Sequence, residues 1–338
     1  MKTFLASSAT LISLCLVAGA ASAEPARGAP QPTKPAALTA EDLEAKPVTL
    51  TLGQGEPRST IIFMHGLGGN PKSYPDLLRA VLTPAPGAPA VKVVAIWMRP
   101  KEGLHTMTDQ LARARRAIDA EQGPVVLMGH SFGGKAAVKL AAEYPEEKVA
   151  AVVALAPSVN MLQSYWKRIT GERVLPEPEA MHAKLAQVKQ ALARNLAVAQ
   201  ARGDHELIEE AEDNLAYHAT MTDLVGHDEA GTETHVNRPT LVLHGTEDEA
   251  VSIHYARRFA EANKGVVEFV ELPGANHGFR MPANRKFDVA TAMMKKPIQA
   301  FLAKRMPTAA ARPDAPAAPA KLPEPAKKIG LLGRAFGR

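Results

Sequence analysis

The stretch that decides the fold is Val125–Ala142, which reads VVLMGHSFGGKAAVKLAA. An apolar, strand-like run, Val125–Met128, leads into GHSFG (129–133), and a segment rich in Ala, Val and Leu follows at once. A sharp strand-to-helix turn strains the backbone of its central residue and lifts that side chain above the sheet, so only small neighbours fit beside it. Glycines stand at both ends of GHSFG. The pattern therefore predicts a strand, a tight turn that presents Ser131, and a helix.

Apolar, β-branched runs alternate with helix-like segments along most of the chain. Continuous apolar strands separated by helices are typical of a parallel sheet covered on both faces, and ligands gather at the carboxyl ends of its strands. The sequence predicts an α/β fold with a mostly parallel central sheet flanked by helices. The predicted strands are Val48–Leu52, Thr60–Met64, Val91–Trp97, Val125–Met128, Val149–Leu155, Thr240–Leu243 and Val266–Glu271, and the predicted helices between them are Tyr74–Leu82, Thr106–Glu121, Phe132–Glu143, Ile253–Ala262 and Lys286–Lys304.

The alternation breaks between Pro157 and Pro239. Two long segments there, Glu179–Ala201 and Asp204–Val225, carry apolar residues at helical spacing, and Gly203 lies between them. Amphipathic helices joined by a short turn form an antiparallel hairpin, so we expect a helical cap inserted over the carboxyl end of the sheet. The large side chains of this region predict an apolar substrate pocket lined by Met161, Tyr165, Trp166, Tyr217 and Met221.

Two later loops supply the partners that a reactive serine needs. A serine hydroxyl is scarcely ionised at neutral pH, so it requires a base to take its proton and an acid to orient that base. The loop after TLVL (240–243) carries Asp248 between Glu247 and Glu249, and the loop in ELPGANHGF (271–279) carries His277. Both loops follow strands, so we expect them at the same edge of the sheet as Ser131. Glu247 and Glu249 are alternatives to Asp248.

From about Val48 to Arg305 the chain resembles an α/β-hydrolase of the serine esterase/lipase type with an inserted helical cap. Four motifs carry this resemblance, each after a strand and in the order of the family: HGLGG (65–69), GHSFGG (129–134), HGTEDEAV (244–251) and GANHGF (274–279). The match involves four separate places in the chain and is therefore more specific than the serine motif alone.

The resemblance implies a role for each matching residue. Ser131 would be the nucleophile, His277 the general base and then the general acid, and Asp248 the residue that orients His277. The backbone N–H groups of Leu67 and Phe132 would form the oxyanion hole. The HGLGG segment differs from the triple-glycine version of many short-chain esterases and is similar to that of lipase-like relatives with larger acyl groups.

Other histidines are expected to have structural roles. His65 and His244 precede glycines at strand ends, where we expect them to brace the backbone, and His130 occupies the variable position of the tight turn. The histidines of the predicted cap helices are expected to pack or to lie at the surface, with His218 also a candidate for substrate contact; they are His182, His205 and His218.

The sequence predicts neither a metal nor a conventional cofactor. His227, Asp228, Glu229 and His235 are close in sequence but lack the strand and helix context of a zinc site. The glycines around Ser131 do not have the spacing of a dinucleotide-binding loop.

The two ends of the chain differ in composition from its middle. Met1 and Lys2, an apolar run and the small residues at 21–23 have the layout of a cleavable signal peptide, which predicts a periplasmic or secreted protein. Segments rich in Pro and Ala cannot bury enough apolar surface to fold. The expected organisation is a signal peptide at 1–23, a disordered linker at 24–46, the hydrolase core at 47–157 and 239–306, the helical cap at 158–238 and a Pro/Ala-rich basic tail at 307–338.

Composition limits the classes of partner. The 338 residues are 46% hydrophobic and 22% charged, which is ordinary for a globular protein. The formal net charge of +5 comes from Lys2 and the basic tail, so a nucleic-acid-binding face on the body has no support. No segment after the signal peptide is long and apolar enough to span a membrane. The tail, which ends in KKIGLLGRAFGR, is either solvated or contacts an anionic envelope surface or a partner.

Taken together, these patterns predict an exported serine hydrolase that acts on a small ester or acyl substrate. Three alternatives stay open. One is a peptidase of the same fold, with an acidic anchor for a peptide terminus at Glu209, Glu210, Glu212 and Asp213. The second is a haloperoxidase or carbon–carbon bond hydrolase, and the third is a non-catalytic envelope binding protein on the same scaffold.

Overall fold

A computed structural model describes residues 47–67, 69, 72, 74–97, 106–227, 235–280 and 287–306. The predicted signal peptide, N-terminal linker and C-terminal tail lie outside the described residues, so all three stay predictions. Within the part of the chain that the structure covers, no helix has both the length and the apolar character needed to cross a membrane.

Strands and helices alternate along the described residues much as the sequence pattern predicts. In chain order the elements are β1 (Val48–Leu52), β2 (Gln54–Met64), α1 (Pro75–Leu82), β3 (Pro89–Ile96), α2 (Met107–Ala120), β4 (Val125–His130), α3 (Phe132–Glu143), β5 (Val149–Leu155), α4 (Met161–Thr170), α5 (Pro178–Arg202), α6 (His205–Leu224), β6 (Thr240–Gly245), α7 (Ile253–Ala262), β7 (Val267–Leu272) and α8 (Phe287–Arg305). All seven predicted strands are present. Only α4 has no counterpart among the predicted helices.

The seven strands form one sheet in the order β1-β3-β2-β4-β5-β6-β7. β1 pairs with β3 in the antiparallel sense, and all other neighbours are parallel. Every residue of β4 and of β6 is buried, as expected for central strands that helices cover on both faces. The predicted α/β fold with a mostly parallel sheet is confirmed.

Two apolar clusters lie on opposite faces of the sheet. On one face, α1 and α8 pack against the strands through residues such as Leu78, Ile298 and Phe301. On the other face, α2, α3 and α7 pack together with the helices inserted between β5 and β6. The inserted helices are therefore part of the main hydrophobic core on that face.

The insertion contains the expected helical hairpin. Gly203 ends α5 in the left-handed conformation with φ 65°, and the Asp204 side chain accepts the Leu207 N–H to cap α6. Near the other end of α6, the Asp223 carboxylate accepts hydrogen bonds from the backbone N–H and the hydroxyl of Thr108, in the first turn of α2. Because α2 follows β3, its N-terminus lies at the carboxyl edge of the sheet. The predicted helical insertion is confirmed and is attached at that edge.

The turn from β4 into α3 brings backbones together without room for side chains. A Cβ atom on Gly129 would lie 2.1 Å from the Gly133 carbonyl oxygen, and one on Gly133 would lie 2.3 Å from the Met64 carbonyl oxygen in β2. Ser131, between these glycines, has φ 56° and ψ −118°, a region that non-glycine residues rarely occupy. The local sequence predicted this strained turn.

Replacement of Gly133 by alanine is expected to destabilise the whole domain. The added methyl group would overlap backbone atoms of β2, and inserting atoms into a packed core costs about 1–3 kcal/mol or more. Gly226→Ala is the matched control, because a Cβ there would have only an ordinary contact, 3.6 Å from the Asp223 carbonyl oxygen. Urea denaturation should show a lower free energy of unfolding for Gly133→Ala alone. Equal stabilities of the two variants would contradict the close approach of the backbones.

Candidate active site

The backbone of Ser131 is held by the neighbouring strand. Its N–H donates to the Leu155 carbonyl at 2.8 Å, and its own carbonyl accepts from the N–H groups of Lys135 (3.1 Å) and Ser158 (3.2 Å). These three hydrogen bonds connect the turn to the carboxyl end of β5, to the loop just after it and to the first turn of α3. The side chain of Ser131 therefore leaves a fixed backbone at the carboxyl edge of the sheet, as a nucleophile requires.

Asp248 forms the acidic part of the site. Its side chain is fully buried, and Oδ2 lies 2.7 Å from Nδ1 of His277. Oδ1 accepts the backbone N–H groups of Ala250 (2.9 Å) and Val251 (2.8 Å). Nε2 of His244 lies 3.1 Å from Oδ2. The alternatives Glu247 and Glu249 are both exposed, so among the three neighbouring acids it is Asp248 that contacts His277.

The surroundings of Asp248 favour the ionised carboxylate. Burial alone would raise the pKa of this group, because a low dielectric disfavours the charged form. Hydrogen bonds from His244 and His277 and the backbone N–H of Val251 act in the opposite direction and outweigh burial. The net result is a pKa well below the usual range of aspartate. Asp248 is therefore a permanent acceptor for the Nδ1–H of His277.

A compact loop presents His277. Oδ1 of Asn276 accepts the N–H groups of Gly278 (3.1 Å) and Arg280 (2.9 Å), and the Phe279 N–H donates to the Asn276 carbonyl at 2.9 Å. Phe279 has φ 54°, and only 1% of its surface is exposed. The buried ring fixes the loop to the core, while 25% of the His277 side chain stays accessible.

His130 brings this loop to the nucleophile turn. Its Nε2 lies 2.9 Å from the His277 carbonyl oxygen, and the two imidazole centroids are 4.8 Å apart. His277 thus lies beside the residue that directly precedes Ser131. Among the described residues no hydrogen bond joins Ser131 Oγ to His277. Such bonds are often long in enzymes without substrate and shorten in the reacting complex.

The segment after β2 also reaches Ser131. A Cβ atom on Gly66 would lie 3.1 Å from the Ser131 Cβ. The Gly66 carbonyl accepts the Gly69 N–H at 2.9 Å and lies 2.8 Å from Nδ1 of His65. Leu67 directly follows Gly66 in this turn, and Phe132 follows Ser131 and begins α3. The oxyanion hole of Leu67 and Phe132 stays a prediction.

The five predicted substrate residues fall into two groups. Tyr165, Trp166 and Met221 are at most 4% exposed within the apolar cluster on the cap side of the sheet. The Tyr165 hydroxyl lies 2.7 Å from Nδ1 of His218, and Trp166 Nε1 donates to Glu172 at 3.2 Å, so both use their polar atoms inside the cap. All three pack within this cluster, and their predicted contact with substrate stays a prediction. Met161 and Tyr217 are half-buried at the margin of the cluster, as is Leu67, and are accessible to a ligand.

The remaining histidines have contacts of the kind expected. His65 and His244 lie against the backbone carbonyls of Gly66 and Val251, His244 at 2.9 Å. His182 and His205 are exposed, whereas burial lowers the pKa of His218 to about 4.

No group of three or more metal-ligating side chains occurs among the described residues. Most of the segment between His227 and His235, with Asp228 and Glu229, lies outside that part of the chain.

Sequence reasoning missed two contacts of the site. It did not predict that His244 lies beside Asp248, nor that His130 joins the nucleophile turn to the loop of His277. The only available signal was the repeated Gly-His or His-Gly pair at the end of three strands, at 65–66, 129–130 and 244–245. These pairs indicate that the histidines lie at the site, but they do not identify the groups that the histidines contact.

Comparison with known proteins places the chain in a family. The family model described as the alpha/beta hydrolase family matches residues 61–292. Similar solved structures include the monoacylglycerol lipase of Paleococcus ferrophilus, with 18% identity, a TM-score of 0.48 and coverage of 76% of this chain and 99% of that chain. Mouse alpha/beta hydrolase domain-containing protein 10 has 17% identity, a TM-score of 0.48 and coverage of 77% and 96%.

A thermophilic esterase of Thermogutta terrifontis has 18% identity, a TM-score of 0.44 and coverage of 75% of this chain and 93% of that chain. A comparison with curated protein sequences finds no match. At these identities the similarity concerns the fold and not the substrate. The family model, in contrast, covers more than half of the sequence and includes the nucleophile turn and both partner loops. The chain therefore belongs to the alpha/beta hydrolase family.

Proposed function

We propose that this protein is an exported serine hydrolase that cleaves carboxylic esters through an acyl-enzyme on Ser131. The observation that carries the proposal is the hydrogen bond between the buried Asp248 and the partly exposed His277, which lies beside the strained turn of Ser131. A base oriented by a carboxylate next to a presented hydroxyl is the arrangement that nucleophilic catalysis by serine requires. Membership of the hydrolase family supports the same reaction class.

Asp248 determines which nitrogen of His277 carries the proton. A carboxylate only accepts hydrogen bonds, so Nδ1 of His277 must donate to Oδ2. The lone pair of neutral His277 is then on Nε2, on the accessible part of the ring. Nε2 takes the hydroxyl proton of Ser131 as Oγ attacks the ester carbonyl, and the ionised Asp248 stabilises the imidazolium that results.

The backbone around the nucleophile suits the developing oxyanion. The N–H of Phe132 is at the N-terminus of α3, where helix N–H groups have no intrahelical partner, and the turn at Gly66 brings Leu67 to the same place. Donors aimed at charge that appears only in the tetrahedral intermediate lower the barrier by about 3–4 kcal/mol each. We propose that Leu67 and Phe132 supply these donors.

The reaction is completed by transfer of the acyl group to water. His277 gives the proton to the departing alkoxide, which leaves as the alcohol, and Ser131 keeps the acyl group. His277 then takes a proton from water, the resulting hydroxide attacks the acyl-enzyme, and the proton returns to Ser131 as the carboxylic acid departs. No redox partner is needed in either half.

An ester is favoured over a peptide by the position of the acidic cap residues. The peptidase alternative needs its anchor near Ser131, but Glu209, Glu210, Glu212 and Asp213 are in the first half of α6. About 15 Å of helix separates Asp213 from Asp223, which is the α6 residue that contacts α2 at the edge of the sheet. Leu67 follows Gly66 beside Ser131, and Met161 is joined to Ser131 by hydrogen bonds through Ser158; both side chains are apolar and half-buried. This surface suits an uncharged acyl or alcohol group.

Replacement of Ser131 by alanine is expected to lower kcat by ~10³-fold or more for a p-nitrophenyl ester, because the members of a triad act as a unit. The fold should be retained, since all three hydrogen bonds of Ser131 to neighbouring residues use its backbone. A fluorophosphonate probe should label the wild type and not Ser131→Ala. Equal hydrolysis by the folded variant would refute the role of Ser131, and wild type without labelling or turnover would favour a non-catalytic binding protein.

Replacement of Asp248 by asparagine is expected to lower kcat by about 10⁴-fold, because an amide group favours the wrong tautomer of His277. The matched control is Glu247→Gln, which changes an exposed acid next to Asp248 in the same loop. Steady-state kinetics of both variants measure kcat and KM. If kcat fell as much in Glu247→Gln as in Asp248→Asn, the loss would come from a disturbed loop. The role of the buried Asp248 carboxylate would then be refuted.

The substrate class is tested by a panel that varies the bond cleaved. Esters of graded acyl length, an aminopeptidase substrate, a halide-dependent peroxidase assay and a β-diketone cover the alternatives with the same fold. Esters are expected to give the highest kcat/KM. A preference for any of the other three would replace the ester proposal with that reaction.

Export is tested by the N-terminus of the mature protein. The small residues at 21 and 23 fit the cleavage site of a signal peptidase, so intact-mass analysis of periplasmic or secreted protein should give a chain that begins at Glu24. Bulky substitutions, Ala21→Phe with Ala23→Phe, should block the cleavage. An uncleaved wild-type chain that stays in the cytoplasm would contradict export.

A further inference from the structure

We infer that His130 is a positioning residue, which holds the backbone of His277 in place and joins it to the turn of Ser131. The inference rests on the proposed function and concerns the same site. It is carried by two hydrogen-bonding contacts of a single imidazole ring, one with Tyr74 and one with the His277 carbonyl.

The two contacts fix the tautomer of His130. The His277 carbonyl oxygen only accepts, so Nε2 of His130, 2.9 Å away, must carry a proton. In the neutral ring Nδ1 is then an acceptor, and the Tyr74 hydroxyl at 3.0 Å donates to it. Tyr74 thus acts on His277 through His130, because its O–H selects the tautomer that can reach the carbonyl.

The ring of His130 is kept neutral. It is 8% exposed, and burial followed by repulsion from His277 lowers its pKa to about 3. Asp248, which acts in the opposite direction, does not compensate. Both nitrogens are engaged and the ring is buried, so His130 is unsuited to be the base itself. A neutral His130 also places no like charge beside the imidazolium that forms on His277.

Ring packing holds the imidazole between three segments. Its centroid lies 5.8 Å from that of Tyr74, 4.8 Å from His277 and 5.6 Å from Phe279. The Tyr74 hydroxyl oxygen also accepts a hydrogen bond from the backbone N–H of Gly66, the residue before Leu67. His130 therefore links the oxyanion-hole turn, the nucleophile turn and the loop of His277. Asp248 holds the side chain of His277, and His130 holds its main chain.

The main test is His130→Phe, which keeps a planar ring in the packing and removes both hydrogen bonds. A base displaced by about 1 Å costs up to about 10²-fold in rate, so kcat is expected to fall ~10- to 100-fold with KM within about twofold. The rate constant of Ser131 labelling by a fluorophosphonate should fall in parallel. His182→Phe is the control, since His182 is exposed on α5. It should leave all three quantities unchanged.

Two further variants separate positioning from packing. His130→Gln keeps an N–H donor near the position of Nε2 and should recover kcat by about threefold or more relative to His130→Phe. Tyr74→Phe should lower kcat in the wild-type background and lower it by a smaller factor in His130→Phe, because the part of its effect that acts through His130 is then already lost and only its contact with Gly66 remains. Additive losses in the double variant, or unchanged kcat in folded His130→Phe, would overturn the inference.

The outcome is interpretable even if His130→Phe does not fold. In that case the effect of Tyr74→Phe is compared in the wild type and in His130→Gln, whose amide donor has no tautomer to select: a smaller loss of kcat in His130→Gln supports the inference, and equal losses in both overturn it. Labelling of Ser131 in the wild type reports separately on the proposed function. A labelled, active wild type with an unaffected His130→Phe refutes only the positioning role, whereas an unlabelled, inactive wild type refutes both.

Discussion

Direct contact between backbones at the turn from β4 into α3 determines where the reactive groups of this protein lie. Gly129 and Gly133 leave no space for a Cβ, so α3 begins against the end of β2, and the residue between them takes a positive φ. The turn at Gly66 then comes within contact of the Ser131 Cβ. A bulkier turn would move Ser131 away from Gly66. The strain at Ser131 persists because hydrogen bonds from three directions hold its backbone.

The site also depends on an uneven distribution of charge among neighbouring groups. Asp248 stays ionised because donors surround it, and His130 stays neutral because it is buried beside another imidazole. Two imidazolium rings with centroids 4.8 Å apart would repel by about 3 kcal/mol at an effective dielectric constant of about 20. In the proposed reaction, a neutral His130 avoids this penalty at the step in which His277 becomes charged. The Asp248 carboxylate, 2.7 Å from Nδ1 of His277, stabilises that charge.

Residues that follow strands were predictable from the sequence, and residues defined by tertiary contacts were not. Ser131, Asp248 and His277 each lie in the turn or loop that follows an apolar run, and parallel strands place such positions at one edge. The role of His130 depends on Tyr74 and on a carbonyl far along the chain, which no local pattern encodes. The apolar character of Tyr165 and Trp166 was evident, but the pattern does not tell a face that meets a ligand from one that meets other helices. Helix α4 was missed because its ten residues include aromatic and β-branched side chains of low helical preference.

The position of the cap between β5 and β6 affects how far the length of the cap can vary. β5 and β6 are direct neighbours, paired from Val152 with Thr240 to Leu155 with Leu243, although the whole cap lies between them in sequence. The entropy lost on closing such a connection grows only with the logarithm of its length, about 0.6 kcal/mol for each doubling. Caps of quite different length are thus compatible with the same strand pairing. We therefore expect that this one segment can be exchanged as a unit while β5 and β6 keep their register.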